Sequence, residues 1–319
     1  MVLLPILLFV VGLLLLILGA DFLVKGSSSL AKQLSISEIA IGLTVVAFGT
    51  STPELVVNIF SSAKGYSDIV FGNVIGSNLF NILVILGIAG LINPLTVQKN
   101  TVWKEIPISL FATLLLFFMV NDSGLFGAIS NRLSQIDGIV LLVFFIIFLI
   151  YIIGIAKIKS TDTYEVTIHS PLKTLFYIII GFIGLFIGGK FVVDNAVSLA
   201  RQLQVSEKLI AVTIVAAGTS LPELATSVVA AYKKRYDIAV GNIIGSNIFN
   251  IFFVLGVSSL INTAHYSSVL NIDFLVLVFG TLLLFLAMFT GRAHRLDRWE
   301  AFLFIATYVG YLVYLFYRK

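Results

Sequence analysis

The 319 residues are 59% hydrophobic and 11% charged, carry a formal charge of +4 and include no cysteine. So few charges cannot cover a soluble protein of this size, and the long apolar runs point to a bilayer. Disulfides and thiolate metal sites are excluded, and a small positive charge spread through loops makes no nucleic-acid patch.

A membrane-spanning helix needs about 20 apolar residues, and ten stretches qualify in chain order. Helix 1 is expected from about Val2 to Val24, helix 2 from Ile39 to Ala63 and helix 3 from Ile69 to Leu91. Helix 4, Ile106 to Val120, is short unless its flanks join, and helix 5 runs from Ile136 to Ile155. Helix 6 covers Leu172 to Val193, helix 7 Leu209 to Tyr232, helix 8 Ile238 to Leu260, helix 9 Phe274 to Phe289 and helix 10 Ala301 to Tyr317. Residues 2–24 lack a basic leader and a small-residue cleavage site, so they read as a crossing and not as a signal peptide. His169, His265 and His294 fall in expected loops, which argues against a buried histidine metal centre.

Of the 20 Lys and Arg, thirteen fall in loops or helix ends on one face, six on the other, and Lys190 lies within helix 6. Basic residues in short loops mark the cytoplasmic side, so the face with thirteen is expected inside the cell and both termini outside.

A repeat organises the chain. Gly49-Thr50-Ser51-Thr52-Pro53-Glu54 returns as Gly218-Thr219-Ser220-Leu221-Pro222-Glu223, and the segment Gly72 to Asn81 returns as Gly241 to Asn250, each 169 residues on. Ser29-Leu30-Ala31-Lys32-Gln33-Leu34 matches Ser198-Leu199-Ala200-Arg201-Gln202-Leu203 at the same offset. Five helices per copy is odd, so the copies cross in opposite directions. The expected fold is an all-α membrane protein of ten transmembrane helices in two inverted five-helix repeats, 1–160 and 161–319, forming one integral unit. In such folds the binding site lies near mid-membrane at the repeat interface. Asp21 and Lys25 become Lys190 and Asp194 in the second copy; each i, i+4 pair is read as easing membrane burial.

Glu54 and Glu223 sit at matched depth in apolar helices, where a charge costs at least about 2.5 to 3.5 kcal/mol. No basic residue falls at that depth in helices 2, 3, 7 or 8, so a mobile cation is the expected counter-charge. Pro53 and Pro222 lack the N–H that would bond the carbonyl four residues back, so each helix should kink and free carbonyl oxygens. Irregular backbone at membrane depth is tolerated where it is buried in protein or lines a cavity. Thr50, Ser51, Thr219 and Ser220 add hydroxyls. Gly72 with Gly76, and Gly241 with Gly245, fit close helix packing. Ser77 and Asn81 share a helix face, as do Ser246 and Asn250, and are placed to complete an oxygen cage. Asn78 and Asn247 point about 100° away and are assigned to packing or hydrogen bonding.

All-oxygen ligation suits hard cations. Calcium accepts roughly 6 to 8 oxygens in flexible geometry, whereas magnesium demands a tighter octahedron and keeps its waters. Sodium is nearly the size of calcium at half the charge, so one cage can serve either ion in competition.

The paired motifs resemble the α-repeats of the cation/calcium exchanger superfamily, and above all its prokaryotic sodium/calcium exchanger branch, over residues of about 12–87 and 181–256. The resemblance implies that Glu54 and Glu223 ligate calcium with the carbonyls of Thr50 and Thr219. It implies one sodium position at Ala47, Thr50, Ser51, Glu223 and Ser246, and another at Ala216, Thr219, Ser220, Glu54 and Ser77. Asn81 and Asn250 would face the middle, and helices 1 and 6 would slide past the other eight. Asn at position 250, where potassium-dependent relatives carry Asp, argues against a potassium site. Two carboxylates with one calcium are neutral; three sodium ions, a stoichiometry the resemblance implies, would leave +1.

The expected function is therefore a sodium/calcium antiporter in the cell membrane. A proton/calcium antiporter on the same fold is the alternative, although proton-coupled relatives usually place Asn-Ala-x-Glu at this helix. A cation channel is disfavoured by broken helices and an inverted repeat. No membrane-depth histidine, cysteine or aspartate pair suggests an enzyme. No cofactor beyond the transported Ca2+ and Na+ is expected, and no protein partner is implied. The loop of about 156–171 is too short for a regulatory domain.

Overall fold

The computed structural model describes residues 3–121, 131–156, 167–203 and 216–318. Among these residues eight helices are long and apolar enough to cross a membrane: Leu3–Gln33, Ser67–Ile92, Thr101–Val120, Gln135–Ile155, Pro171–Gln202, Tyr236–Ile261, Ser268–Ala287 and Arg298–Tyr317. Glu38–Thr50 and Thr52–Ala63, bent by 47° at the intervening residue, make a ninth crossing. These are the expected helices 1 to 6 and 8 to 10. The expected helix 7 begins outside the described residues, and its described part is Ala216–Gly218 and Leu221–Tyr232. Most of the loop expected between helices 5 and 6 also lies outside them.

Three boundaries differ from expectation for local reasons. Helix 4 gains its missing turn because a π-helical segment, Thr101–Glu105, joins it ahead of Pro107. Helices 1 and 6 run on through Gln33 and Gln202, well past the apolar stretch. The polar end of helix 1 is held against the start of helix 6: Ser29 Oγ lies 2.8 Å from Thr174 Oγ1, and Gln33 Nε2 donates to the His169 carbonyl at 2.7 Å. Helices 5 and 10 begin at reciprocal side-chain caps, Ser134 with Asp137 and Asp297 with Glu300, which satisfy donors that a helix start leaves open.

Two short antiparallel strand pairs refine the all-α expectation. Strand β1 (Leu95–Thr96) pairs with β4 (Arg295–Leu296), and β2 (Arg132–Leu133) pairs with β3 (Ala264–His265). The first joins two loops expected on the face rich in basic residues and the second two loops expected on the opposite face, so these four loops pair as expected.

Burial identifies the centre. The apolar window of helix 8 is 94% buried and that of helix 3 is 72% buried, against 17% for helix 10. Helices 3 and 8 therefore form the core, while Leu14, Ile17, Ile150, Ile153 and Phe302 turn outward.

Helices 1 and 6 form an antiparallel pair along a glycine seam. A Cβ at Gly12 would meet the Gly188 carbonyl at 2.9 Å, one at Gly19 the Leu185 nitrogen at 2.7 Å, and one at Gly181 the Leu23 nitrogen at 2.7 Å. Gly12 and Gly181 are equivalents 169 apart, as are Gly19 and Gly188. Association in lipid rests on van der Waals contact between small residues, so these helices touch through backbone. Of the glycines expected at helix contacts, Gly241 and Gly245 pack on helix 2, with the Leu43 Cα 2.8 Å from a Cβ placed at Gly245. At Gly72 and Gly76 nothing among the described residues lies within 4 Å of such a Cβ. Gly19→Val should force helices 1 and 6 apart at a cost of roughly 1 to 3 kcal/mol, read as a lower thermal midpoint of the detergent-solubilised protein.

Candidate cation site

The breaks in helices 2 and 7 are near copies. Pro53 and Pro222 each sit just inside the second helical segment and have no N–H to offer the preceding turn. The residue at the break has matching backbone angles, φ −82° and ψ 8° at Ser51, φ −89° and ψ 8° at Ser220. The ladder resumes with the Leu55 N–H on the Ser51 carbonyl at 3.2 Å and the Leu224 N–H on the Ser220 carbonyl at 3.0 Å. The Glu54 and Glu223 side chains follow within one turn, and both are fully buried.

Each carboxylate is held by the opposite copy. Ser51 Oγ donates to Glu223 Oε1 at 2.9 Å, and Ser220 Oγ donates to Glu54 Oε1 at 3.1 Å. Ser77 Oγ adds a second bond to Glu54 Oε1 at 3.2 Å. The second oxygen of each, Glu54 Oε2 and Glu223 Oε2, is buried without a hydrogen-bond partner. Among the described residues no basic side chain pairs with either carboxylate, and no cluster of three His, Cys, Asp or Glu occurs. Further ligands to an ion here would thus be neutral oxygens.

Helices 3 and 8 supply such oxygens through reciprocal amides. Asn78 Nδ2 donates to the Asn247 carbonyl at 3.2 Å, and Asn247 Nδ2 donates to the Asn78 carbonyl at 3.3 Å. Asn81 Nδ2 then donates to Asn247 Oδ1 at 2.9 Å and Asn250 Nδ2 to Asn78 Oδ1 at 3.1 Å. With both nitrogens engaged, Asn81 Oδ1 and Asn250 Oδ1 remain buried and unpartnered, as does Ser246 Oγ. Asn81 and Asn250 lie in π-helical turns, Phe80–Ile85 and Asn250–Val254; such turns often mark functional sites. Asn78 and Asn247 thus have the hydrogen-bonding role that sequence gave them.

The remaining site candidates are partly engaged. Thr50 Oγ1 donates to Asn242 Oδ1 at 3.0 Å and Thr219 Oγ1 to Asn73 Oδ1 at 3.5 Å, so both hydroxyls act as braces. The Ala47 carbonyl accepts the Ser51 N–H at 3.0 Å and also lies 3.4 Å from the Thr50 hydroxyl. Ala216 heads the described part of helix 7, and its side chain lies outside the described residues.

Sequence reasoning missed the brace itself. Asn73 Nδ2 reaches the Glu54 carbonyl at 3.3 Å and Asn58 Oδ1 at 2.7 Å; Asn242 Nδ2 reaches the Glu223 carbonyl at 3.5 Å and Ser227 Oγ at 3.0 Å. Asn73 and Asn242 stood inside the repeated segment, and their place in both copies was the available signal. Asn58 and Ser227 are equivalents of different type, so the repeat conceals them.

A cavity of about 470 Å3 reaches the site between helix 6 and the two breaks, with Pro53, Gly218, Thr219, Pro222, Lys190 and Asp194 in its wall. The two inverted-charge pairs behave differently. Asp21 bonds Lys25 at 2.6 Å and also Lys233, whereas among the described residues no ion pair joins Lys190 to Asp194.

The sodium/calcium exchanger protein family matches residues 4–154 and 173–317. The chain belongs to this family. It is 31% identical to the sodium/calcium exchanger MaX1 of Methanosarcina acetivorans over 318 residues, covering 89% of this chain and 91% of that protein. It is 38% identical to the inner membrane protein YrbG of Escherichia coli over 236 residues, 71% and 70% of the two chains. Its fold matches the sodium-calcium exchanger NCX_Mj soaked with 10 mM Na+ and no Ca2+, at a TM-score of 0.84 and 35% identity over 98% of this chain and 99% of that one. This family member is therefore a multi-pass membrane transporter of the cation/calcium antiporter class, and not a catalyst. Its cargo is ions.

Ser51→Ala would remove the hydroxyl that donates to Glu223 Oε1 at 2.9 Å while leaving the carboxylate in place. A bond to a charged group is worth about 1.5 to 3 kcal/mol, so the calcium concentration for half-maximal transport should rise about tenfold or more, measured by calcium flux in proteoliposomes.

Proposed function

We propose that the chain is a sodium/calcium antiporter in which Glu54 and Glu223 take calcium between them, assisted by the carbonyls of Thr50 and Thr219. Sodium competes for the same oxygens, at one position with Ala47, Ser51 and Ser246 and at a second with Ala216, Ser220 and Ser77. Asn81 and Asn250 face the centre. The observation that carries this reading is the set of five buried oxygens without donors: Glu54 Oε2, Glu223 Oε2, Asn81 Oδ1, Asn250 Oδ1 and Ser246 Oγ. Leaving such atoms unpaired in a dry interior costs several kcal/mol in all, and a hard cation would satisfy them together. A proton could neutralise a carboxylate but would leave the amide and carbonyl oxygens unmatched, which favours sodium as the coupling ion.

Two fixed carboxylates and one Ca2+ sum to zero, while three Na+ would leave +1, so exchange is electrogenic. With Asn at both 81 and 250 it is independent of potassium. Two inverted five-helix repeats, 1–160 and 161–319, supply one half of the site each, in keeping with the reciprocal contacts across it. Sodium-loaded proteoliposomes should accumulate calcium against its gradient, faster at a potential positive inside the vesicle if extra positive charge leaves with sodium. Glu54→Gln and Glu223→Gln should each abolish uptake while still inserting; uptake driven by a pH gradient alone would favour the proton-coupled reading.

In this reading helices 1 and 6, joined along the glycine seam, slide as a pair over the rest to alternate access. The face with thirteen basic residues is cytoplasmic and both termini are outside. Asp21 ties helix 1 to Lys233 on that face. The equivalents of these two residues are Lys190 and Lys64, two like charges, so the outer face cannot close by a matching pair. The cavity beside Lys190 and Asp194 is then the outer entrance. Asp21→Asn should weaken inner closure by up to about 1 kcal/mol, a shift of up to about fivefold. In this cysteine-free protein, Val57→Cys in the cavity wall would report it as slower labelling by an impermeant thiol reagent from outside.

A further inference from the structure

A second cavity, of about 560 Å3, lies beside the break in helix 2 and holds none of the proposed ion ligands. Its wall is made by Gly49 and Thr52 of helix 2 and by aromatic rings from four helices, Phe48, Phe145, Phe186 and Phe249 among them. Phe145 stands midway along helix 5 and Phe249 midway along helix 8, which puts the cavity at mid-membrane depth. Phe48 and Phe186 are exposed on the outer surface, so the cavity is continuous with the face that meets lipid, whereas Phe249 is buried. The Phe182 ring lies against Gly49, where a Cβ would collide with it, so aromatic packing reaches the broken backbone itself.

The chemistry of the wall selects its occupant. Two hydroxyls reach it among the described residues, and each is engaged by its own helix: Thr44 Oγ1 donates to the Ala40 carbonyl at 2.6 Å and Thr52 Oγ1 to the Phe48 carbonyl at 3.0 Å. A buried water needs about two to four polar partners, and a polar ligand would need as many; hydrocarbon needs none. Left empty, the rings forfeit dispersion contacts on one side. Between apolar groups in lipid, such contacts and not escape from water drive association.

We propose that this cavity binds one acyl chain of a membrane lipid, which enters from the bilayer past Phe48 and Phe186 and ends against Phe249. Thr52 and Phe186 also line the cavity that reaches the cation site. The bound chain therefore backs the thin partition between that polar entrance and the bilayer, and completes with hydrocarbon a wall that the protein leaves incomplete. It goes beyond the exchange reading, since it holds whichever ions are carried.

The test places the full chain in proteoliposomes of phosphatidylglycerol that carries a photoactivatable diazirine near the methyl end of one acyl chain. Labelled positions are read by peptide mass spectrometry after irradiation. Ile153 and Phe302 face outward and report ordinary contact with surrounding lipid. Phe249 lies on helix 8, the most buried of the crossings, where surrounding lipid does not reach. Label at Phe249 is the expected result. Leu149→Trp, which fills the cavity from helix 5, should abolish that label while Ile153 and Phe302 keep theirs. Phe48→Ala, which widens the mouth, should increase it and guards against misfolding in the first variant. Label confined to outward residues, or label at Phe249 that neither variant changes, overturns the proposal. Because the readout involves no ion flux, it stands apart from whether the chain exchanges sodium for calcium.

Discussion

A carboxylate taken out of water into a protein interior costs several kcal/mol even after relaxation, and the cost is recovered only through good electrostatic partners. Glu54 and Glu223 are fully buried, one oxygen of each is held by hydroxyls, and the other has no donor. No lysine or arginine has been placed beside them among the described residues. The fold therefore buries two carboxylates without a basic partner among the described residues, and in the proposed reading an arriving cation completes the electrostatics. Had a basic residue been built in, such a site would be stable when empty and would have little affinity for an ion.

Much of the surrounding structure keeps these oxygens aimed inward. The prolines break helices 2 and 7 so that carbonyls and hydroxyls of the break share the depth of the carboxylates. Asn73 and Asn242 brace the broken segments from helices 3 and 8, and Asn78 and Asn247 lock those two helices to one another. A half-satisfied polar network in a dry core is costly. Here the satisfied part consists of donors paired with acceptors, and four of the five unsatisfied atoms, the Glu54, Glu223, Asn81 and Asn250 oxygens, are acceptors only.

The repeat does not make the two faces alike. Equivalent positions carry opposite charges at Asp21 and Lys190, and this single exchange leaves one end of the sliding pair tied and the other end beside an open cavity. The glycines at 12, 19, 181 and 188 keep that pair in close backbone contact, which suits two helices held together as one unit. Rigid braces around the glutamates and a close seam along helices 1 and 6 coexist within one membrane domain.

Composition, hydropathy and one internal offset determined a good deal by themselves: an apolar chain must cross a bilayer, a proline must break a helix, and a carboxylate at depth must find a positive charge. Those constraints are local or depend only on the solvent, so they can be read along the chain, and they located the helices and the broken segments with the two glutamates. Which hydroxyl serves which carboxylate depended on the opposite copy, since Ser51 reaches Glu223 and Ser220 reaches Glu54. The same holds for the glycine seam and for the ion pair between Asp21 and Lys233, which join residues more than 150 positions apart. Only tertiary structure decided these contacts, because they depend on how two halves of opposite direction come together, a relation that no spacing within either half contains.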